Sequence, residues 1–177
     1  MKVIFLDIDG VLNTKETYDN MYRNNSLGAY LEVPIDKFRL EYLKTIIDET
    51  DAKIVLSSSF RSFFARKENE LVPISAKGRN LYNWFLKYEI DIFDVTPVNG
   101  RTREDEIKEW LISRDDVEEF IILDDDPTIF NDLSSKLIQT SKIKQDYIST
   151  FIKDSFGLCE RHIPEIIDRL GVKNKIL

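Results

Sequence analysis

The sequence predicts an α/β domain of three layers, in which a parallel sheet lies between helices that cover both of its faces. Apolar runs of strand length alternate with amphipathic segments of helical length along the chain, and this alternation is typical of parallel sheets. No internal repeat, low-complexity tract or Gly/Ser-rich linker divides the 177 residues. We therefore expect a single domain over residues 1–177 that buries a substantial core.

The strands are predicted from five apolar runs that are rich in Ile, Val, Leu and Phe. The first run, KVIFLD, is followed at once by acids and a glycine, so it is expected to be a central strand that leaves the core at a functional edge. In chain order, the runs cover residues 2–7, 52–59, 90–95, 119–126 and 136–140.

The helices are predicted from apolar residues that recur at helical spacing. In the first such segment Phe38, Tyr42 and Ile46 fall on one stripe, and in the closing segment Ile163 and Ile166 point inward. In chain order, the predicted helices cover residues 36–49, 80–87, 102–113 and 158–170.

Composition and charge exclude several classes of protein. No stretch approaches the roughly 18 apolar residues of a membrane span, and the short apolar N-terminus is read as a strand and not a signal peptide. A net charge of −7 argues against tight binding to a long duplex but leaves room for a local basic pocket. The single Cys159 cannot form an internal disulfide. A cytoplasmic location without membrane contact is the expectation.

Polar residues gather where three of the predicted strands end. Parallel strands bring their carboxyl ends to one edge of the sheet, so these residues are expected to form one composite site. The residues are Asp7 and Asp9 after the first strand, Ser57, Ser58 and Arg61 at the second, and Asp124 and Asp125 at the fourth.

Clustered carboxylates repel one another and are stabilised by a hard cation such as Mg²⁺. A carboxylate can also attack phosphorus and form an acyl phosphate, while a second acid two residues later can protonate the leaving oxygen and then deprotonate water. Hydroxyls and a cation from the neighbouring strand would hold the phosphoryl oxygens. The residue types therefore point to phosphoryl transfer.

Four segments, DIDGVLN, IVLSSSFR, TREDEIKEWL and FIILDDD, resemble the four motifs of the haloacid dehalogenase (HAD) superfamily of phosphatases. More narrowly, they are similar to the small HAD domains of nucleic-acid repair proteins, such as the phosphatase half of polynucleotide kinase-phosphatase. The resemblance implies a Rossmann-like sheet without a large cap domain. Residues 14–35 and 62–100 are the only room for a cap, and both segments are short.

The resemblance implies a role for each acid. Asp7 would be the nucleophile and a Mg²⁺ ligand, and Asp9 would be the general acid and base with its backbone carbonyl on the metal. Asp124 and Asp125 match the fourth motif, one binding the metal directly and the other through water or a more distant contact. Which of the two binds directly stays open.

The resemblance also implies the phosphate-binding groups. Ser57 matches the hydroxyl of the second motif, and Ser58 either joins it or satisfies local backbone groups. Arg61 lies in the same motif, where Phe60 replaces a tryptophan. The cation of the third motif is Arg101, Arg103 or Lys108; Arg103 is favoured because it stands just before the EI..WL helix, and Lys108 is second.

Two further segments carry weaker signals. The 14–35 insertion is expected to be a polar loop near the active site, whose aromatic, amide and arginine side chains either stack on an unpaired base or pack on one another. Cys159 leads into a helix and not a phosphate-cradling loop, which argues against a cysteine phosphatase, and His162 is expected to be a packing or surface residue. The side chains singled out in the insertion are Tyr18, Tyr22 and Arg23, with Asn24, Asn25 and Tyr30.

The leading hypothesis is a Mg²⁺-dependent phosphomonoester hydrolase that forms an aspartyl-phosphate intermediate and acts on terminal phosphates of nucleic acids. One alternative keeps the chemistry but takes a nucleotide, another small phosphate ester or a phosphoprotein as substrate. Another is a HAD-like module that binds without turnover, against which the presence of both Asp7 and Asp9 argues. The oligomeric state and a partner that supplies a cap stay open.

Overall fold

A five-stranded parallel sheet forms the centre of the molecule. The computed structural model describes residues 1–24, 32–68, 70–141 and 156–173. The spatial order of the sheet is β5-β2-β1-β6-β7, and every neighbouring pair is parallel. The strands in the described residues are β1 (Lys2–Leu6), β2 (Lys53–Leu56), β3 (Phe64–Lys67), β4 (Glu70–Pro73), β5 (Ile92–Val95), β6 (Glu119–Asp124) and β7 (Leu137–Gln139).

Helices cover both faces of this sheet. On one face α2, α3 and α5 pack against the larger apolar cluster, and on the other face α4 packs against the smaller one. The three-layer α/β architecture expected from the sequence is confirmed. The helices of the described part of the chain are α1 (Lys15–Asn24), α2 (Lys37–Thr50), α3 (Ala76–Lys87), α4 (Arg103–Ile112) and α5 (His162–Leu170).

Strand β1 lies in the middle of the sheet and is buried on both faces. Ile4 and Leu6 belong to the larger apolar cluster, whereas Val3 and Phe5 belong to the smaller one, because successive side chains of a strand point to opposite faces. The ring of Phe5 meets Trp110 of α4 edge to face at 5.3 Å between centroids. Burial of each such side chain contributes about 1.5–3 kcal/mol to the stability of the fold. The carboxyl end of β1 is therefore held in a fixed position.

The predicted strands and helices are present, with ends that differ by a few residues. Strand β2 stops at Leu56, because the Ser58 side chain accepts a hydrogen bond from the Phe60 backbone N–H and begins a 3₁₀ turn. Helix α3 begins earlier than expected, at Ala76, where Ser75 supplies the N-cap. Helix α5 begins later, at His162. The ends differ because capping contacts, and not the apolar pattern, decide where an element stops.

One helix and one hairpin were not predicted. Residues 15–24, expected to be part of a polar loop, form helix α1, so the loop prediction was wrong for this part of the insertion. Residues 64–73 contain the antiparallel hairpin of β3 and β4, whose four-residue strands, FARK and ELVP, are short and lack the alternation of apolar and polar residues that predicts a strand. Asn25 and Tyr30 lie outside the described residues, as does the Asn24 side chain.

The segment between β2 and α4 contains the hairpin, α3 and β5. In the part of the chain that the structure describes, no large cap domain is inserted, as expected. Among the same residues, every helix is too short or too polar to cross a membrane.

Candidate active site

Three carboxylates converge at the carboxyl edge of the sheet. Asp7 follows β1, where its backbone N–H donates to Leu123 O of β6 at 2.9 Å, and Asp124 ends β6 itself. One carboxylate oxygen from each of Asp7, Asp124 and Asp125 lies within 4.8 Å of the other two. Asp7 is 5% exposed and Asp124 is fully buried. The parallel pairing of β1 with β6 therefore brings together acids that are more than a hundred positions apart in the sequence.

Arg103 contacts two of these acids. Its Nη1 donates to Asp7 Oδ2 at 2.8 Å and also to Asp124 Oδ2. Arg103 is the first residue of α4, where the N-cap Thr102 accepts a hydrogen bond from the Asp105 backbone N–H. The helix start thus places the guanidinium at the carboxyl end of β1.

The other two candidates for the basic side chain of the third motif bind elsewhere. Arg101 pairs with Glu109 at 3.6 Å. Lys108 pairs with Glu104 at 2.7 Å and with Asp132 at 2.6 Å. The geometry therefore favours Arg103 over both, as the sequence interpretation did.

The three carboxylates lie close to one another, and Arg103 contacts two of them, Asp7 and Asp124. The pKa of Asp124 is raised to about 7, first by burial and next by the charge of Asp7, although Arg103 opposes both effects. Three carboxylate oxygens within 4.8 Å of one another are a donor set that fits a hard divalent cation. Asp7, Asp124 and Asp125 are the residues that could hold it.

Gly10 is required by the position of Asp125. Its backbone φ is +78°, and a Cβ on it would lie 2.4 Å from Asp125 Cγ, so no side chain fits there. Thr140, just beyond β7, donates from Oγ1 to Gly10 O at 2.8 Å. The glycine after the paired acids therefore allows the acidic loop after β6 to pack directly on the loop after β1.

Asp9 stands apart from the three-carboxylate cluster and is exposed. Its Oδ1 accepts hydrogen bonds from Asn13 Nδ2 and from the Tyr18 hydroxyl, each at 2.9 Å. Burial, and then the nearby charge of Asp9, raise the pKa of Tyr18, so this hydroxyl stays protonated and donates. The two donors hold the carboxylate in one position. Asn13 was not singled out from the sequence, although it closes the DIDGVLN segment.

Ser57 presents a buried hydroxyl at the end of β2. Its backbone N–H donates to Leu6 O at 3.0 Å, which continues the sheet by one bond. The side chain is fully buried, and within the described residues its Oγ has no hydrogen-bond partner. A buried hydroxyl without a partner is costly, and its position at the carboxyl edge suits an oxygen-rich ligand.

Ser58 and Arg61 have local partners. Ser58 Oγ accepts a hydrogen bond from Phe60 N at 3.3 Å. Arg61 Nη1 donates to the backbone carbonyl oxygens of Ser57 and Ser58 at 3.2 and 2.8 Å, and its Nη2 pairs with the buried Glu106 of α4. Arg61 therefore fastens the turn after β2 to α4, and a direct contact with phosphate stays a prediction. Glu106 has no signal in the sequence beyond its place in a helix.

Helix α1 places Tyr18 and Tyr22 on one side. Their rings stack with centroids 6.4 Å apart and an interplanar angle of 23°, and Tyr22 is 53% exposed. Arg23 is exposed near the end of the same helix. Tyr18 therefore donates its hydroxyl hydrogen bond to Asp9 and stacks its ring on Tyr22. Contact of Tyr22 and Arg23 with a substrate stays a prediction.

Cys159 and His162 lie together at the start of α5. The Cys159 backbone N–H donates to His162 Nδ1 at 3.1 Å. His162 is buried, and burial followed by the charge of Arg161 lowers its pKa, so the ring is neutral and accepts this bond. The pair shapes the helix start, in keeping with a structural role.

Comparison with known proteins gives the family. Searches of curated proteins and of solved structures each found no match. The model of the HAD domain in Swiss Army Knife RNA repair proteins matches residues 3–144, a stretch that holds every acid described above. The fold, the acids at the carboxyl edge and this match agree: the chain belongs to the family of HAD domains found in Swiss Army Knife RNA repair proteins.

Proposed function

We propose that this domain is a Mg²⁺-dependent phosphomonoester hydrolase that removes terminal phosphates from nucleic acids through an aspartyl-phosphate intermediate. The observation that carries the proposal is the contact between Asp7 and Arg103 beside the acids that end β6. This arrangement offers a nucleophilic carboxylate, a fixed positive charge and oxygen ligands for a cation within one cluster.

In the first step, a carboxylate oxygen of Asp7 forms a bond to phosphorus as the bond from phosphorus to the ester oxygen breaks. Asp9 gives its proton to the departing oxygen, which leaves as an alcohol. Arg103 and the Ser57 hydroxyl are suited to stabilise the phosphoryl oxygens, because one is a fixed cation and the other a buried donor without a partner. When bound by Asp7, Asp124 and Asp125, Mg²⁺ would neutralise negative charge on the phosphoryl group.

In the second step, water attacks the same phosphorus and the bond to the Asp7 oxygen breaks. Asp9 takes the proton of the attacking water, so that the carboxylate of Asp7 and the acid form of Asp9 are both restored and inorganic phosphate leaves. Asn13 and Tyr18 hold Asp9 for both proton transfers.

The proposal that the substrate is a nucleic-acid end has two supports. The family is named for RNA repair proteins, which favours RNA. In the described residues, the site lacks a large cap that would close over a small metabolite, so the end of a polymer can enter. Faster turnover of a nucleotide, another small phosphate ester or a phosphoprotein would contradict the proposed substrate and leave the proposed chemistry unchanged.

The test is phosphate release by the purified protein and by Asp7→Asn. Substrates are RNA oligonucleotides with a 3′- or 5′-phosphate, the matching mononucleotides, a phosphopeptide and nitrophenyl phosphate. We expect activity with Mg²⁺, loss in chelator, no rescue by Ca²⁺ because its coordination is longer and looser, and no activity in the folded Asp7→Asn variant. Full activity in chelator, or substantial turnover by Asp7→Asn, would contradict the mechanism.

A further inference from the structure

An open groove of about 550 Å³ runs between helices α1 and α3. Its floor comes from the segment Val33, Pro34 and Ile35, which leads into α2. The walls combine polar, aromatic and basic side chains and one acid, Glu32. The wall residues of α1 are Thr17 and Met21, and those of α3 are Asn80, Asn83, Trp84 and Lys87.

The groove borders the catalytic loop through helix α1. Thr17 lines the groove, while the next residue, Tyr18, donates its hydroxyl hydrogen bond to Asp9. Successive residues of a helix lie about 1.5 Å apart along its axis and point about 100° apart around it. One helix therefore forms a wall of the groove with one face and supports Asp9 with the neighbouring face.

The α3 wall has the chemistry of a site for unpaired nucleotides. Trp84 is half-buried and packs against the core, which holds the indole in place. The exposed Lys87 places its Nζ over the Trp84 ring, 5.4 Å from the ring centroid, so a cation and an aromatic ring lie next to each other. Asn83 adds an exposed amide, which can donate to and accept from the edge of a base. Aromatic faces with nearby cations bind single strands by stacking on bases and pairing with phosphates.

Asn80 connects the α3 wall to the floor of the groove through a hydrogen bond. Its Oδ1 accepts a hydrogen bond from the Val33 backbone N–H at 2.8 Å, so α3 is fastened to the floor of the groove. Because the chain carries a net charge of −7, a local cation such as Lys87 is needed for contact with a phosphodiester.

We propose that this groove binds the nucleotides next to the terminal phosphate of a single-stranded nucleic acid, with a base on Trp84 and a backbone phosphate at Lys87. This proposal rests on the proposed function for its link to catalysis. The groove would then give the domain its preference for a polymer end over a mononucleotide.

The binding test uses the protein's own tryptophans. The chain has two, and Trp110 is 6% exposed in the core, so quenching by a ligand reports on Trp84. We expect an unphosphorylated single-stranded hexanucleotide, in RNA or DNA form, to quench the emission saturably. Lys87→Gln should weaken this binding by at least about threefold, whereas Lys53→Gln, which removes an exposed lysine at the amino edge of the sheet, should leave it unchanged.

Trp84→Phe keeps an aromatic face in the groove and tests whether the quenched fluorescence comes from Trp84. In this variant the quenching should disappear while a labelled oligonucleotide still binds, as measured by fluorescence anisotropy. For turnover, Lys87→Gln should raise KM about three- to tenfold for a phosphorylated hexanucleotide and leave kcat/KM for nitrophenyl phosphate unchanged.

The outcomes separate the two proposals. Absence of quenching, or equal binding by Lys87→Gln and the parent protein, would contradict nucleotide binding in the groove even if phosphate release is observed. Quenching that depends on Lys87, without phosphate release from any substrate, would support the groove and overturn the proposed catalytic function.

Discussion

The hydroxyl of Tyr18 lies 2.9 Å from Oδ1 of Asp9, and Asn13 Nδ2 meets the same oxygen at the same distance. Tyr18 reaches this position because α1 begins just after the loop that carries Asp9. The second acid of the DIDG segment is therefore held by its own downstream neighbours. This arrangement assigns Tyr18 a positioning role in the proposed mechanism.

Tyr18→Phe should lower kcat about tenfold with little change in KM, because the ring still stacks on Tyr22 while Asp9 loses one of its two donors. Steady-state kinetics on a phosphorylated oligonucleotide measures this. The same substitution placed in an Asp9→Asn background should have almost no further effect, since the two residues act as a unit. Additive losses in the double variant would show that Tyr18 acts elsewhere.

Asp9→Asn should reduce turnover of an alkyl phosphate by about 10²–10⁴-fold, which is the range for the loss of a general acid. The reduction should be smaller for nitrophenyl phosphate, because a nitrophenolate leaves without a proton. The measurement is the ratio of kcat values for the two substrates in both proteins. Equal losses would instead assign Asp9 a role in positioning.

Ser57→Ala should lower kcat/KM by about 100-fold, the effect of removing one donor to a transition-state oxygen. Its free energy of unfolding should change by less than about 1 kcal/mol, because the hydroxyl has no partner to lose among the described residues. Ser58→Ala is the matched control: it removes a cap that bonds Phe60 N and should cost about 0.5–2 kcal/mol of stability. A large loss of stability in Ser57→Ala would mean that its hydroxyl is structural.

Arg103→Met should abolish most activity and lower the free energy of unfolding in chelator by about 3–5 kcal/mol, because it leaves Asp7 and Asp124 buried without their counter-charge. Lys108→Met removes a more exposed cation that pairs with Glu104 and Asp132, and it should change both quantities only slightly. Phosphate release and urea unfolding measure the two effects. A larger loss of activity in Lys108→Met would reverse the assignment of the basic side chain.

Asp94→Asn should destabilise the fold at pH 7 by about 2 kcal/mol, less than a fully buried pair because its arginines are partly exposed. The carboxylate accepts hydrogen bonds from Arg66 and Arg114, each at 2.7 Å, and from Trp110 at 3.0 Å. Burial alone would raise the pKa of Asp94, but the donors outweigh burial and hold the pKa below its ordinary value.

A carboxyl whose folded pKa is lowered stabilises the fold when ionised, above its unfolded pKa of about 4. That contribution is lost as the pH falls through the lower folded pKa. Urea unfolding of the two proteins should therefore show a gap at pH 7 that shrinks toward pH 3. The exposed Asp91→Asn is the control and should show no gap, and a gap that is constant with pH would contradict the interpretation.

The sequence by itself determined the parallel sheet and the edge of the sheet where the candidate site residues lie. Apolar runs such as KVIFL are local signals, because burial on both faces of a parallel sheet needs nearly every side chain to be apolar. The residue at which each run turns acidic or hydroxylic marks the carboxyl edge, so Asp7, Ser57 and Asp124 could be assigned to one edge of the sheet from the sequence.

The sequence did not determine contacts that depend on how helices dock on that sheet. Arg103 and Asp7 are 96 positions apart, and only the packing of α4 over β1 decides that Arg103, and neither Arg101 nor Lys108, reaches the acid. The same holds for Arg61 with Glu106 and for the groove between α1 and α3. Local patterns determine which face of an element is buried. The relative position of two elements depends on how side chains pack in the core. The candidate site depends on both.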